Sequence, residues 1–95
     1  MTKADLVADI SEKKGIEKVA VQATIESFMT SIIDTMENGE NVYLRGFGTF
    51  VVKKRAEKTG RNISKNTTLI IPEHYVPSFK PSKSFVNGVK KKVKK

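Results

Sequence analysis

The spacing of the apolar side chains changes at Gly39, and this change restricts the chain to helices followed by strands. Before this glycine, apolar residues recur every three or four positions, which is the repeat of an α-helix. After it they alternate with polar residues, which is the repeat of a strand with one buried face. A chain of 95 residues forms one small domain. The sequence therefore predicts a single α+β domain.

Two helices are predicted before Gly39. The first begins at Thr2, whose hydroxyl can cap free backbone N–H groups, and ends at Gly15. The second spans residues 18–38, and Gly39 supplies the left-handed residue that ends it. Its start is weakly capped, because Glu17 stands where serine or threonine would cap better. The apolar stripe of the second helix consists of Ile25, Phe28, Met29, Ile32, Ile33 and Met36. This stripe is large for so short a chain, which predicts packing against a second subunit.

Three antiparallel strands and a short helix are predicted after Gly39. The strands cover residues 41–45, 49–55 and 67–76. Pro72 in the third strand requires a sheet edge, a bulge or a strand end, because proline cannot donate a ladder hydrogen bond. Ser82 then marks the start of a C-terminal helix that ends in a lysine-rich tail.

The charges are segregated along the chain. Residues 1–40 contain four lysines and eight acidic residues, a net charge of −4, whereas residues 41–95 contain fourteen cations and two acidic residues, a net charge of +12. Solubility does not require such segregation, so a polyanionic partner is indicated. Nucleic acid is the first candidate and an anionic membrane surface the second.

Several classes of protein are disfavoured by what the sequence lacks. There is no cysteine, which excludes disulfides and thiolate metal sites. His74 is the only histidine, and we expect it at the surface or at a strand end. No residue set predicts a catalytic, metal or cofactor site, so the chain is not expected to be an enzyme. No stretch approaches the roughly 20 apolar residues of a membrane-spanning helix, and the N-terminus lacks the pattern of a secretory signal. By elimination, a cytoplasmic protein is predicted.

A polar segment between Arg55 and Leu69 has two interpretations, a disordered loop or a two-stranded ribbon. Strand-like sequence enters and leaves it, and Asn62 and Asn66 accept the conformations of a turn. Lys53, Arg55 and Arg61 share one parity, so a continuous strand would hold them on one face. These features favour a ribbon, or arm, at about residues 55–69.

Short motifs in the second half of the chain resemble the bacterial HU/IHF family of histone-like DNA-bending proteins. They are "GFGTF" at 46–50, Arg55, "TGRN" at 59–62 and "PSF" at 77–79, followed by Lys83. The resemblance extends over the full chain and favours an HU-like member. It implies an intertwined dimer with two N-terminal helices, a three-stranded antiparallel sheet, a protruding β-ribbon arm and a short C-terminal helix. The predicted dimer core consists of Phe28, Ile32, Phe47, Phe50 and Phe79.

The resemblance also implies a mechanism in which cationic arms enter the minor groove and an apolar residue at each tip wedges between base pairs. HU and IHF are themselves known examples of minor-groove binders that bend DNA. The implied DNA-binding residues are Lys3, Lys53, Arg55, Lys58, Arg61, Asn62, Ile63, Lys65, Lys80 and Lys83. Ile63 is the implied wedge, and it stands where relatives usually carry proline. Ser82 also departs from the family, which commonly has glycine there.

Together these features predict a nucleoid-associated protein of the bacterial cytoplasm that binds duplex DNA largely without sequence specificity and bends it. Bent or distorted DNA is the preferred partner, because part of the bending cost is already met. A homodimer without cofactors is predicted, with residues 1–40 as its helical dimerisation region, residues 41–82 as the sheet with its arm, and residues 83–95 as the C-terminal helix and basic tail. Two alternatives stay open: a sequence-selective subunit of an IHF-like heterodimer, and a general polyanion binder that also takes RNA.

Overall fold

The computed structural model describes residues 1–62 and 67–93. Arg61, Asn62 and Thr67 are described by their backbones alone, and the predicted contacts of Ile63 and Lys65 lie outside the described residues. The helices are α1 (Lys3–Lys14), α2 (Lys18–Glu37) and α3 (Lys83–Lys92), and the strands are β1 (Val42–Leu44), β2 (Gly48–Arg55), β3 (Lys58–Asn62), β4 (Thr67–Ile71) and β5 (His74–Pro81). This order confirms the predicted α+β fold. None of the described helices is long and apolar enough to cross a lipid bilayer.

The N-terminal helices begin and end as their sequences predict. Thr2 and Asp5 form a reciprocal capping box, in which each side chain accepts a hydrogen bond from the backbone N–H of the other. The two bonds to Thr2, first from its backbone and then from its hydroxyl, lower the pKa of Asp5. Glu17 provides no capping bond to α2. Gly39 follows the end of α2 with φ +83°, and its N–H donates to the Met36 carbonyl at 2.9 Å.

Two separate antiparallel sheets follow the helices. One has the strand order β1–β2–β5, and the other is the two-stranded ribbon β3–β4, which is the arm. The prediction of one strand over residues 67–76 is wrong. The chain leaves the ribbon after Ile71 and enters the three-stranded sheet at His74, so that Pro72 falls between strands. The physical reason is that proline lacks the N–H that a continuous ladder would need.

Gly48 allows β2 and β5 to come together next to the "GFG" turn. A Cβ atom at this position would lie 2.5 Å from the backbone oxygen of Lys80 and 2.6 Å from the ring of Phe79. Backbone atoms cannot yield as a flexible side chain would, so any larger residue would force the two strands apart.

Ser82 connects the start of α3 to the "GFG" turn by hydrogen bonds. Its hydroxyl accepts the Phe85 N–H at 3.3 Å, which caps the helix, and donates to the Gly46 carbonyl at 3.1 Å. Its own N–H donates to the Phe47 carbonyl at 2.9 Å. A glycine here would keep only the backbone bond, so the hydroxyl gives this chain one helix cap and one additional tie to the turn.

The single chain encloses very little of its apolar surface. Among the described hydrophobic residues, only Val7 and Val21 are buried, at 5% and 4% exposure, and they lie between α1 and α2. Phe28 is 49% exposed and Phe47 is 45% exposed. Large apolar side chains thus remain in contact with solvent unless another chain covers them.

Candidate nucleic-acid interface

The pairing of β2 with β5 separates the side chains of the three-stranded sheet into two chemically different faces. Residues directly opposite each other in antiparallel strands point to the same side. Thr49 lies opposite Lys80, Lys53 opposite Val76, and Arg55 opposite His74, so these six residues share one side. We call this side the cationic face, with Lys53, Arg55 and Lys80 as its permanent charges. The structure therefore brings together three of the predicted DNA-binding residues.

The opposite side of the sheet is apolar and carries aromatic rings. Phe50 lies opposite Phe79, and their ring centroids are 4.8 Å apart. Phe47 joins them with its centroid 5.1 Å from that of Phe79, and Phe85 of α3 lies 5.5 Å from Phe47. These four rings are the aromatic cluster. It contains three of the residues predicted for the dimer core, while Phe28 lies on α2 beside Ser27 and Ser31. Their role in dimerisation remains a prediction.

Lys54 follows Lys53 in β2 but does not belong to the cationic face. It lies opposite Tyr75 in the register and therefore points away from the cationic face. Its ammonium group lies 3.0 Å from the carboxylate of Glu73. A neighbouring lysine on the same strand is thus turned to the other side and paired with an acid.

The arm carries the remaining predicted contacts of this region. Lys58 pairs with Ile71 at its base, and the backbones of Arg61 and Asn62 continue β3 toward the tip. Ala56 and Glu57 lie between β2 and β3 and belong to neither strand. The continuous strand that would hold Arg61 on one face with Lys53 and Arg55 is therefore not formed, and shared parity alone does not assign Arg61 to that face.

Two exposed residues of the cationic face are not among the predicted DNA-binding residues. Tyr43 lies opposite Thr49 in the β1–β2 register and is 74% exposed. His74 begins β5 and is exposed, which confirms its predicted place at a strand end and at the surface. If the last strand had been predicted to begin at His74, the alternation of side chains would have placed His74 on the same face as Lys80, because both positions have the same parity.

The two predicted contacts on helices lie at the first residues of α1 and α3. Lys83 opens α3 directly after the Ser82 cap. Lys3 opens α1, and its ammonium group lies 2.6 Å from Oε2 of Glu26 on α2. The hydrogen bond from Lys3 is the main reason that the pKa of Glu26 lies below its ordinary value of 4.5, and a bond from Gln22 adds to it. In the absence of DNA, Lys3 is therefore paired with the carboxylate of Glu26.

Removing the acid should free Lys3 for phosphate. We expect Glu26→Gln to tighten duplex binding and to steepen the dependence of log affinity on log salt by up to about 0.9 for each added phosphate contact. Fluorescence anisotropy with a labelled duplex over a salt series measures both quantities. Asp9→Asn is the matched control. It also removes one negative charge from an ion pair in the N-terminal helices, but the partner of Asp9 is Lys13 rather than Lys3. Equal effects of the two variants would contradict a specific role for the Lys3 pair.

The same pair predicts a response to acid. Because the pKa of Glu26 is lowered in the folded chain, the pair stabilises the fold above the ordinary glutamate range. This contribution is lost as the pH falls below 4.5 and through the lowered value. Glu26→Gln lacks the contribution at every pH, so its stability should fall less than that of the wild type on acidification.

A metal site does not compete with this interface within the part of the chain that the structure describes. There, no three histidine, aspartate or glutamate side chains come together in a way that could hold a metal ion. The arrangement can instead hold a polyanion: fixed cations on one face of a sheet, a projecting ribbon beside them, and an apolar face behind them.

Comparison with known proteins places these features in a family. The family described as "Bacterial DNA-binding protein" matches residues 1–90. "DNA-binding protein HU" of Buchnera aphidicola is 39% identical over 90 residues, covering 95% of this chain and 98% of that protein. "SPbeta prophage-derived DNA-binding protein HU 2" of Bacillus subtilis is 37% identical over 92 residues, covering 97% and 100%. Among solved structures, an Anabaena HU–DNA cocrystal structure has a TM-score of 0.89 at 34% identity, covering 94% of this chain and 97% of that one.

Proposed function

Because the chain belongs to the family of bacterial DNA-binding proteins that includes HU, we propose that the cationic face and the arm together form its interface with duplex DNA. The protein is a nucleoid-associated architectural protein that binds DNA and bends it. The observation that supports this interface most directly is the register of β2 and β5, which gathers Lys53, Arg55 and Lys80 on one side. We place the protein in the bacterial cytoplasm, at the nucleoid, and its function requires no catalytic step or cofactor.

The working unit is proposed to be a homodimer. An apolar cavity of about 420 Å³ lies between α2 and the sheet, and its wall includes Ile33, Met36 and Val52. A second, of about 560 Å³, lies beside Phe79 and Phe85. Apolar surface of this extent on a folded chain favours burial against another subunit, and a second copy brings the same surface. Phe28, Ile32, Phe47, Phe50 and Phe79 are proposed as its core.

In such a dimer two arms would reach the same duplex. Lys58, Arg61, Asn62 and Lys65 are proposed to contact phosphates and the edges of the minor groove, while Lys3 and Lys83 contact flanking phosphates of bent DNA. Binding then depends mainly on charge and on the deformability of the duplex, because the minor groove distinguishes A·T from G·C pairs and little else.

Competition between nucleic acids tests this function. Labelled nicked duplex bound to the protein is challenged with unlabelled nicked duplex, intact duplex or structured RNA of equal length. We expect the nicked duplex to compete best, because a nick lowers the cost of bending. Equal competition by all three would identify a general polyanion binder and contradict bending as the basis of affinity. Mass spectrometry of the native assembly, with one chain type expected, separates the homodimer from an IHF-like heterodimer.

Ile63 is proposed as the wedge at the arm tip, since it is the one large apolar residue in the polar segment from Lys58 to Thr68. A wedge unstacks a base step, which raises the fluorescence of a 2-aminopurine placed there. We expect Ile63→Ala to lose most of this increase while it still binds through its cations. Ile63→Leu is the matched control, because it keeps the apolar volume and should keep the signal. An unchanged increase in Ile63→Ala would show that Ile63 does not insert.

A further inference from the structure

The hydrogen bond of His74 determines which nitrogen of its ring can act as a donor. Nδ1 lies 2.9 Å from the carbonyl oxygen of Pro72. A carbonyl oxygen only accepts hydrogen bonds, so Nδ1 must carry the hydrogen. A neutral imidazole has a single N–H, which leaves Nε2 without one. In its neutral form His74 therefore cannot donate from Nε2, whereas the protonated ring can donate from Nε2 and keep the bond to Pro72.

His74 lies within the proposed DNA interface. The residue lies directly opposite Arg55 on the cationic face. Together with Arg55 and Lys58 it lines a cavity of about 340 Å³ at the base of the arm, with Ile71 and Val76 among the apolar walls. Two cations and an imidazole thus surround one concave space where the sheet meets the ribbon.

The charged groups around the ring favour an anion in this cavity. Arg55 of β2 and Lys58 of β3 line the cavity with two permanent positive charges. Glu73 precedes His74 in the chain, but its carboxylate is paired with Lys54 on the other side of the sheet. A phosphate in the cavity would favour the protonated ring, because an adjacent anion stabilises a positive charge.

We propose that His74 is a proton-dependent phosphate contact at the base of the arm. When a duplex phosphate enters the cavity, the ring takes up one proton from solution, and Nε2–H donates to a phosphate oxygen while Nδ1–H remains bonded to Pro72. This inference rests on the proposed DNA-binding function and adds a residue and a pH dependence to it. DNA binding by this chain is then coupled to the uptake of one proton per arm base.

The consequence is that affinity rises as the pH falls through the range in which imidazoles gain a proton, about pH 5 to 8. A charge-assisted hydrogen bond to phosphate corresponds to about a tenfold gain in affinity for each chain that contacts the duplex. His74 is the only histidine, and among ordinary groups only the α-amino terminus also titrates in this range. That terminus is present in every variant below, so its contribution cancels.

Two substitutions separate the proton-dependent contact from a structural role. His74→Asn places an amide nitrogen near the position of Nδ1, so it can keep the bond to Pro72 but has no group at Nε2. His74→Gln places a neutral amide near the position of Nε2, which can donate at every pH. Thermal unfolding of both variants at about pH 8 checks that the fold is unchanged.

Affinity for a nicked duplex is then measured by anisotropy between about pH 5.5 and pH 8 at constant salt. The wild-type dimer should bind up to about a hundredfold more tightly at the lower pH, about tenfold for each of its two chains, while His74→Asn should match the wild type at the higher pH throughout. His74→Gln should show a constant affinity between these limits. A full pH response in His74→Asn, or none in the wild type, would overturn the inference. Failure of both proteins to bind duplex at any pH would instead overturn the proposed function, and the inference with it.

Discussion

Exchanging the three cations of the cationic face for glutamine should remove a large share of the salt-dependent affinity for duplex DNA. Each phosphate that a cation neutralises contributes about 0.9 to the slope of log affinity against log salt. Three contacts on each of two chains therefore correspond to a loss of up to about 5 in that slope. The variant carries Lys53→Gln, Arg55→Gln and Lys80→Gln, which share one side of the sheet. Anisotropy titrations of an intact duplex at several salt concentrations give the slope directly.

Lys54→Gln provides the matched control for this result. Lys54 follows Lys53 in the same strand, but it points to the opposite side and is paired with Glu73 at 3.0 Å. Lys54→Gln removes one positive charge where the cationic-face variant removes three, so an effect of net charge alone would be about one third as large. We expect it instead to leave the salt slope nearly unchanged. Because net charge alone treats all lysines equally, a proportional loss in Lys54→Gln would contradict recognition by one defined face.

Truncating Phe47 should have the largest effect on stability and should act through assembly. Substitution of a fully buried phenylalanine by alanine costs about 3–5 kcal/mol. In the single chain Phe47 is 45% exposed, although its ring contacts Phe79 and Phe85. If a second chain covers the exposed half, Phe47→Ala should cost the full amount per chain and shift the protein toward monomers. If nothing covers it, the cost should be about half as large.

Denaturant unfolding at two protein concentrations distinguishes these cases. A dimer that unfolds to monomers becomes more stable as the concentration rises, whereas a monomer does not. Sedimentation velocity of Phe47→Ala then reports the loss of assembly directly. Tyr43→Ala is the control for aromatic truncation, since Tyr43 is 74% exposed on the cationic face and should leave assembly intact. A concentration-independent wild type would contradict the proposed homodimer.

The ends of the elements were largely predictable because local chemistry determines them. The hydroxyl of Thr2 and the carboxylate of Asp5 cap α1 without help from the rest of the fold. Gly39 ends α2 in the left-handed conformation that glycine adopts most easily. The apolar stripe of α2 was likewise readable from its spacing alone, and so was the suggestion that a single chain could not cover it.

Which residues form the interface was less predictable, because it depends on the register in which the strands pair. Which side chains share a face follows from the pairing of β2 with β5, and that pairing requires residues far apart in sequence. Treating residues 67–76 as one strand concealed the break at Pro72 and, with it, the position of His74 opposite Arg55. The contact of Phe85 with the aromatic cluster likewise depends on how α3 packs against the sheet, which residue spacing alone does not reveal.

Bending itself is measured most directly by fluorescence energy transfer between dyes at the two ends of a nicked duplex. Binding of the wild type should raise the transfer efficiency, because arms that hold a kinked duplex bring its ends closer together. The cationic-face variant should show little increase at concentrations that saturate the wild type, and Lys54→Gln should behave as the wild type does. Saturated binding of the wild type, verified by anisotropy on the same duplex, without any rise in transfer would contradict an architectural, DNA-bending function.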